Sequence, residues 1–297
     1  MPVVGLLWND SVKPSPFATV LLDALREKGW HAGRNFRVED RVSLEGYSGY
    51  AENAAALVQA KVDVIVAYGS TSVFAAAKAT KEIPIVMHIG VDPVASGLVA
   101  SLARPGGNLT GVITLATGLN AKRIELLKEL NPALASFGVV LAPNVGNPVY
   151  LRDSEAAARE LKLQVHFGQV NKPDDLDGVL TDLAKKRVGA LYIAPSSMLQ
   201  AHSARIVQVV AKHRLPTVYG AEVYVDAGGL LIYGVSGRKA FVRAASYVDR
   251  ILKGARPAEM PLEQVSEVEL KVNLKTAKAL GITIPPTILV RADRVIQ

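Results

Sequence analysis

"VDVIVAYGSTSVFAAAKATKEIPIVMH" occupies Val62–His88. It opens with a continuous apolar run, the pattern of a strand covered on both faces of a parallel sheet. A small polar turn follows at Tyr68–Ser72, then a helical stretch, then an Ile83-Pro84 step into a second apolar run. The scheme returns as "VGALYIAPSSMLQAHSARIVQVVAKHRLPTVYG" at Val188–Gly220, with Pro216 in the place of Pro84. Each copy reads as strand, polar turn, helix, proline step and strand. One supersecondary unit used twice predicts two similar α/β lobes and not a short-period solenoid.

The flanking sequence continues the alternation. "VVGLLW" (Val3–Trp8) is a short apolar strand, and Phe17, Val20, Leu21 and Leu25 recur at helical spacing until Gly29. Phe36–Ser43 alternates like a strand, and Ser48–Ala60 is helical. After the first repeat, Asp92-Pro93 predicts the start of a short helix, and Arg104–Asn108 a glycine turn before a strand ending at Val112. Beyond Thr114, helices at Gly118–Asn131, Pro148–Lys162, Pro173–Arg187 and Met198–His213 alternate with strands at Phe137–Ala142, Leu163–Gly168, Val188–Ala194 and Leu215–Gly220. "GLLIYG" (Gly229–Gly234) is a strand expected to return to the first lobe, followed by a long helix ending at Gly254. The expected fold is α/β, with two Rossmann-like lobes of parallel strands flanked by helices and joined by a multi-crossing hinge. The first lobe is expected at 1–112 plus about 228–261, and the second at 113–227 plus about 262–297, with crossings near Thr110–Leu115, Val225–Gly229 and Pro261–Val265.

Length and composition agree with a two-lobed globular chain. The protein has 297 residues, 49% hydrophobic and 21% charged, too long for one typical core. No apolar run approaches the roughly 20 residues of a membrane span. The N-terminus enters its first strand almost at once, so a signal peptide is expected to have been removed or never present. The absence of cysteine excludes disulfides, zinc-thiolate sites, iron–sulfur clusters and thiol nucleophiles. The formal net charge is +7, carried by scattered groups such as Lys122-Arg123, Lys185-Lys186-Arg187 and Arg238-Lys239. No stripe interleaves them with aromatics, so they read as solvated surface and no nucleic-acid partner is expected.

Motifs for other chemistries are missing. No GxGxxG follows the first strand, and no GxxxxGK[ST] or GxSxG occurs. No His-x-x-x-His or carboxylate cluster has metal-ligand spacing, and the five histidines are dispersed. No base, acid or nucleophile with an orienting partner stands out. Neither a catalytic residue, a metal nor a cofactor is expected.

The candidate site lies at the carboxyl ends of the strands, where open parallel sheets bind ligands. Gly69 permits close backbone approach, while Ser70, Thr71 and Ser72 open a helix whose first amides suit a carboxylate. The equivalent turn of the second copy carries Ser196, Ser197 and the apolar Met198. Two polar turns at equivalent places are expected to face one cleft. Asp92 is a helix cap or an acceptor for an ammonium group, and His88 beside it is a packed histidine and not a catalyst. Trp8 stacks on a flat ligand or closes the core edge. Asn9 and Tyr47 are expected to line the first-lobe side, and Tyr219 to pack the apolar part of a ligand. Glu222 is either a cap or a ligand contact.

"DPVASGLVASLARPGGNLTGV" (Asp92–Val112), "YVDRILKGARPAEMPLEQ" (Tyr247–Gln264) and "VELKVNLKTAKALGITIPP" (Val268–Pro286) resemble the ABC transporter substrate-binding family that includes tryptophan- and tyrosine-uptake-type proteins. The resemblance covers essentially the whole chain and implies a type I periplasmic binding protein fold. It implies a monomeric receptor, periplasmic or tethered to the outer face of the cytoplasmic membrane, that captures a small molecule between its lobes and delivers it to an ABC permease. By the same resemblance, Ser70–Ser72 match the turn that holds a ligand carboxylate, and Asp92 matches an acid near the ammonium group. Relatives commonly show Pro-Thr-Asp-Asn where this chain has Pro195-Ser196-Ser197-Met198, and often Asp-Glu-Ser where it has Gly220-Ala221-Glu222. Loss of the acid after the proline opens the site to aromatic or aliphatic carboxylates as well as amino acids. The rival readings are a ligand-sensing regulator on the same core and an uncharacterised α/β enzyme. A regulator is expected to carry an added DNA-binding module, for which the stretch before the first strand leaves no room.

Overall fold

The computed structural model describes residues 1–8, 15–43, 47–114, 117–143 and 147–297. The chain divides into two compact units, Met1–Leu115 with Gly237–Ser266, and Ala116–Ser236 with Glu267–Gln297, and so passes between them three times. The first unit opens with β1 (Val3–Trp8), α1 (Pro16–Glu27), β2 (Arg37–Val42), α2 (Tyr47–Gln59), β3 (Val64–Tyr68), α3 (Ser70–Ala79), β4 (Ile85–Ile89) and β5 (Leu109–Ile113). The second continues with α4 (Asn120–Leu130), β6 (Ser136–Leu141), α5 (Asn147–Glu160), β7 (Gln164–Gln169), α6 (Leu176–Lys185), β8 (Leu191–Ile193), α7 (Ser197–Ala201), α8 (Ser203–Lys212), β9 (Thr217–Tyr219), α9 (Val223–Asp226) and β10 (Leu231–Val235). The chain then returns to the first unit for α10 (Gly237–Leu252) and β11 (Glu263–Gln264), and ends in the second with β12 (Val268–Asn273), α11 (Leu274–Leu280), α12 (Pro286–Val290) and β13 (Arg294–Ile296).

The first sheet has the order β11-β5-β4-β3-β1-β2, all parallel. Central strands β1, β4 and β5 are buried along their whole length and β3 up to Tyr68, which is why they read as apolar runs without alternation. Edge strand β2 is half-buried to exposed, and it keeps the alternating charges of "RVEDRV". Gly111 on β5 sits at φ +132°, where a Cβ would lie 2.3 Å from the Met87 carbonyl oxygen on β4. The close approach of these two strands depends on that glycine.

The second sheet has the order β13-β12-β10-β9-β8-β6-β7. Its segment β7-β6-β8-β9-β10 repeats the order β2-β1-β3-β4-β5 of the first sheet strand for strand. The two sequence copies of the opening unit are therefore the third and fourth strands of equivalent sheets. β12 then pairs antiparallel with β10, and β13 lies parallel to β12. This two-lobed, doubly wound architecture is the type I periplasmic binding protein fold.

Three expectations are corrected. Strand "GLLIYG" does not return to the first lobe: β10 pairs with β9 and β12, so 228–236 belongs to the second unit. It is α10 that returns, burying Phe241, Ala244, Ala245 and Val248 in the first unit. Asp92-Pro93 opens a series of turns and not a helix. Gly97, at φ +72°, ends the first turn before a second one can form. The expected helix over Met198–His213 is two helices, α7 and α8, broken at His202.

Candidate functional site

In a sheet of order 2-1-3-4-5 the chain reverses direction across the sheet between strands 1 and 3, and the crevice beyond their carboxyl ends is where ligands bind. In the first unit those ends are Trp8 on β1 and Tyr68 on β3. In the second they are Leu141 on β6 and Ile193 on β8. The polar turns Gly69–Ser72 and Pro195–Ser197 therefore occupy the same topological place in each unit.

In the first unit, Gly69 caps α3 at φ 87° and ψ 151°, a conformation suited to glycine. The first helical hydrogen bond runs from Val73 N to Gly69 O at 3.1 Å. The amides of Ser70, Thr71 and Ser72 precede it and have no intrahelical acceptor. Ser72 is buried, and its Oγ donates to the carbonyls of Tyr68 (2.6 Å) and Gly69 (2.8 Å). Its hydroxyl thus braces the turn, while Ser70 and Thr71 stay half-buried at the helix mouth.

Other groups expected at this edge make contacts within the first unit. Trp8 is 1% exposed, and its Nε1 donates to Asp40 Oδ1 at 2.8 Å. The indole closes the core edge, because its ring is covered and its one donor is used. His88 is buried, with Nε2 3.1 Å from Thr114 Oγ1. Burial lowers its pKa to about 4, so the ring is neutral at ordinary pH. Asp92 Oδ1 accepts from the amides of Val94 (2.9 Å) and Ala95 (3.1 Å), which is the capping role, at an exposed position. Asn9 and the Tyr47 side chain lie outside the described residues. An aromatic group not singled out from the sequence does gather here. Phe17, Tyr68, His88 and Phe241 have ring centroids 4.8–5.3 Å apart in successive contacts. Sequence spacing gives no sign of it, since two helices and two strands, α1, β3, β4 and α10, contribute one ring each.

In the second unit, Ser196 caps α7 and is buried, and Gln200 N donates to its carbonyl at 2.9 Å. Met198 packs on the core beside α8. Tyr219 is 1% exposed and stacks on Tyr224 at 4.4 Å, so it belongs to the core and not to a ligand wall at this edge. Gly220 is needed because a Cβ there would sit 2.6 Å from Pro195 Cγ. Glu222 is committed to an ion pair. Its Oε1 accepts from Nζ of Lys271, which also bonds Glu269 Oε2 at 2.9 Å. Burial works to lower the Lys271 pKa, but the hydrogen bonds to Glu222 and Glu269 outweigh it and the value is raised. Lys271 is a lone lysine within "VELKVN", and its charge masks the strand character of that segment.

Arg123 corrects another expectation. It was placed on the solvated surface with Lys122, yet it is 0% exposed. Its Nε donates to the Tyr233 carbonyl at 2.8 Å and its Nη1 to Asn120 Oδ1 (3.0 Å) and Tyr192 Oη (3.1 Å). Tyr192 Oη in turn donates to Asn120 Oδ1 at 2.7 Å. The signal was available: Arg123 shares the helical face of Leu127 and Leu130, which are buried. This network ties α4 to β8 and to the middle of β10. Among the described residues, no group of three or more histidine, aspartate or glutamate side chains has the geometry of a metal site. Among the same residues no helix is long and apolar enough to cross a membrane.

Residues 16–296 match the family model described as ABC transporter substrate binding protein. The chain belongs to this family of ABC transporter substrate-binding proteins. It is 26% identical over 260 residues to a tyrosine-binding protein of Clostridioides difficile (strain R20291), covering 87% of this chain and 74% of that one. Among solved structures it is similar to the ABC domain in complex with L-Trp from Streptococcus pneumonia, with a TM-score of 0.86, 26% identity and 99% coverage of both chains. A conserved domain protein from Vibrio cholerae O1 biovar El Tor gives the same TM-score of 0.86, with 26% identity and 99% coverage of both chains.

Proposed function

We propose that this protein is the solute-binding receptor of an ABC importer and that its ligand is a small carboxylate with an aromatic or aliphatic body. The observation that carries this reading is the unpaired amide set of Ser70, Thr71 and Ser72 at the switch point of the first sheet. Fixed amides at a helix N-terminus offer partial positive charge to an anion without burying a lysine. Ser196 and Ser197 offer a second polar turn at the equivalent point of the second sheet. The two relatives named for tyrosine and L-Trp support an aromatic amino acid or its close analogue.

The acids near the site favour a ligand that does not depend on its ammonium group. Glu222 is neutralised by Lys271, Asp92 is engaged in capping, and Met198 adds apolar surface. The receptor binds without turnover, works outside the cytoplasmic membrane as a monomer, and hands its ligand to a permease. Capture shifts the lobes from an open to a closed population. Calorimetry tests the reading with L-tryptophan, L-tyrosine, their desamino acids and the decarboxylated amines. The acids, with or without the amino group, are expected to bind, and the amines are not. Binding of the amines with equal affinity would remove the carboxylate from the recognition. Chemical conversion of a bound acid would remove the receptor assignment.

A further inference from the structure

A cavity of about 400 Å³ opens in the second unit between α8 and α11, a volume within the usual range of small-molecule sites. Its wall is apolar: Val207, Val210, Leu215, Tyr219, Leu230 and Leu280. It lies at the opposite edge of the sheet from the polar turns. Leu215 and Leu230 precede β9 and β10, and α11 begins where antiparallel β12 ends beside the start of β10. Ala227 and Gly228 line one side, and a Cβ on the neighbouring Gly229 would come within 2.9 Å of the Tyr219 ring.

Two charged residues line the cavity, Arg214 and Lys275, and both are cationic and exposed. No carboxylate lines it, and neither cation enters an ion pair among the described residues. The setting of each cation runs against local preference. Arg214 holds a left-handed backbone at φ 54°, a place usually taken by glycine. Lys275 lies in the first turn of α11, where the helix favours negative charge. An apolar recess with two unpaired cations at its mouth complements an anion that carries an apolar tail.

We infer that this recess is a second binding site, for a single-chain amphiphilic carboxylate. The carboxylate pairs with Arg214 and Lys275 at the mouth, and the chain lies along Val210, Leu215 and Leu230. This site is independent of the carboxylate turn at Ser70–Ser72 and stands whatever ligand that turn takes.

The test is an amide-resolved NMR titration with octanoate, with 1-octanol as the uncharged control. Saturable shifts are expected at Thr217, Gly228 and Thr276, with octanol at least about threefold weaker. Ala279→Trp fills the recess from an exposed helix position and is expected to abolish the shifts. Arg214→Gly combined with Lys275→Gln is expected to weaken octanoate about three- to tenfold and leave octanol unchanged. The glycine suits the left-handed backbone, so folding is spared. Ser70→Pro, at the other edge, is expected to leave the titration unchanged. Shifts that centre on Ser70–Ser72 and vanish in Ser70→Pro would overturn the inference. So would octanol binding as tightly as octanoate, an unaltered titration in Ala279→Trp, or no saturation at all.

Discussion

Replacing Lys271 by methionine keeps the apolar stem and removes the charge between Glu222 and Glu269. Lys271 is 6% exposed, and the two acids have side-chain exposures of 29% and 23%. Removing one partner of a buried ion pair costs about 3–5 kcal/mol, because the other is left uncompensated. Here water reaches about a quarter of each carboxylate and relieves part of that, so about 2–3 kcal/mol is expected at pH 7. The wild-type contribution has a definite pH sign. Lys271 is raised above its ordinary value, so its stabilisation is complete below about 10.4 and is lost only as pH rises through the folded value. The variant behaves oppositely. Two facing carboxylates repel when ionised, and protonating either relieves them, so the deficit shrinks as pH falls toward the carboxylate range. Urea unfolding of both proteins, followed by far-ultraviolet circular dichroism at pH 7 and pH 4.5, measures this. A deficit below about 1 kcal/mol at pH 7, or an equal deficit at both pH values, would refute the reasoning.

Three further outcomes are expected. His88 has its pKa lowered to about 4, so it contributes stability that is complete above about 6.5 and lost as pH falls through 4; its ring resonances should titrate near 4, and titration near 6.5 would mean the ring is solvated. Lys162 sits at φ 54° after α5, and Lys162→Gly should raise stability by about 0.5 kcal/mol in chemical denaturation, as relief of the left-handed backbone exceeds the entropy cost of glycine; a loss of stability would contradict this. Gly111→Ala should cost about 3 kcal/mol or more, since the new methyl meets the Met87 backbone at 2.3 Å, and a near-neutral effect would mean that β4 and β5 can part freely.

The doubly wound lobes were legible because their strands are buried on both faces and the helices keep a 3.6-residue apolar period. The repeated unit at Val62 and Val188 placed both polar turns at strand ends, and the sheet order then put them at equivalent switch points. What the sequence hid was pairing. Nothing in "GLLIYG" says which sheet it joins, because its side chains suit either core, and only its partners β9 and β12 decide. Strand β12 was hidden by its lysine, which is buried between Glu269 on the same strand and Glu222, an acid distant in sequence. Trp8 and Tyr219 looked like ligand walls because large aromatics suit both cores and sites. Their burial and ring partners come from other elements. Arg123 was misread as surface although its helical phase with Leu127 and Leu130 pointed inward.

The central claim is that the Ser70–Ser72 amides seat a ligand carboxylate, and one comparison tests it most directly. Ser70→Ala removes a hydroxyl and keeps the amide. Ser70→Pro removes the amide at the first position of α3, which proline tolerates, and Gly69 already has the extended ψ that precedes proline. A hydrogen bond to a charged group is worth about 1.5–3 kcal/mol, or about 10- to 150-fold in affinity. Calorimetry with the tightest-binding acid of the panel is expected to give near-wild-type affinity for Ser70→Ala and a 10-fold or greater loss for Ser70→Pro. Equal affinities in the two variants, with both folded, would place the carboxylate elsewhere.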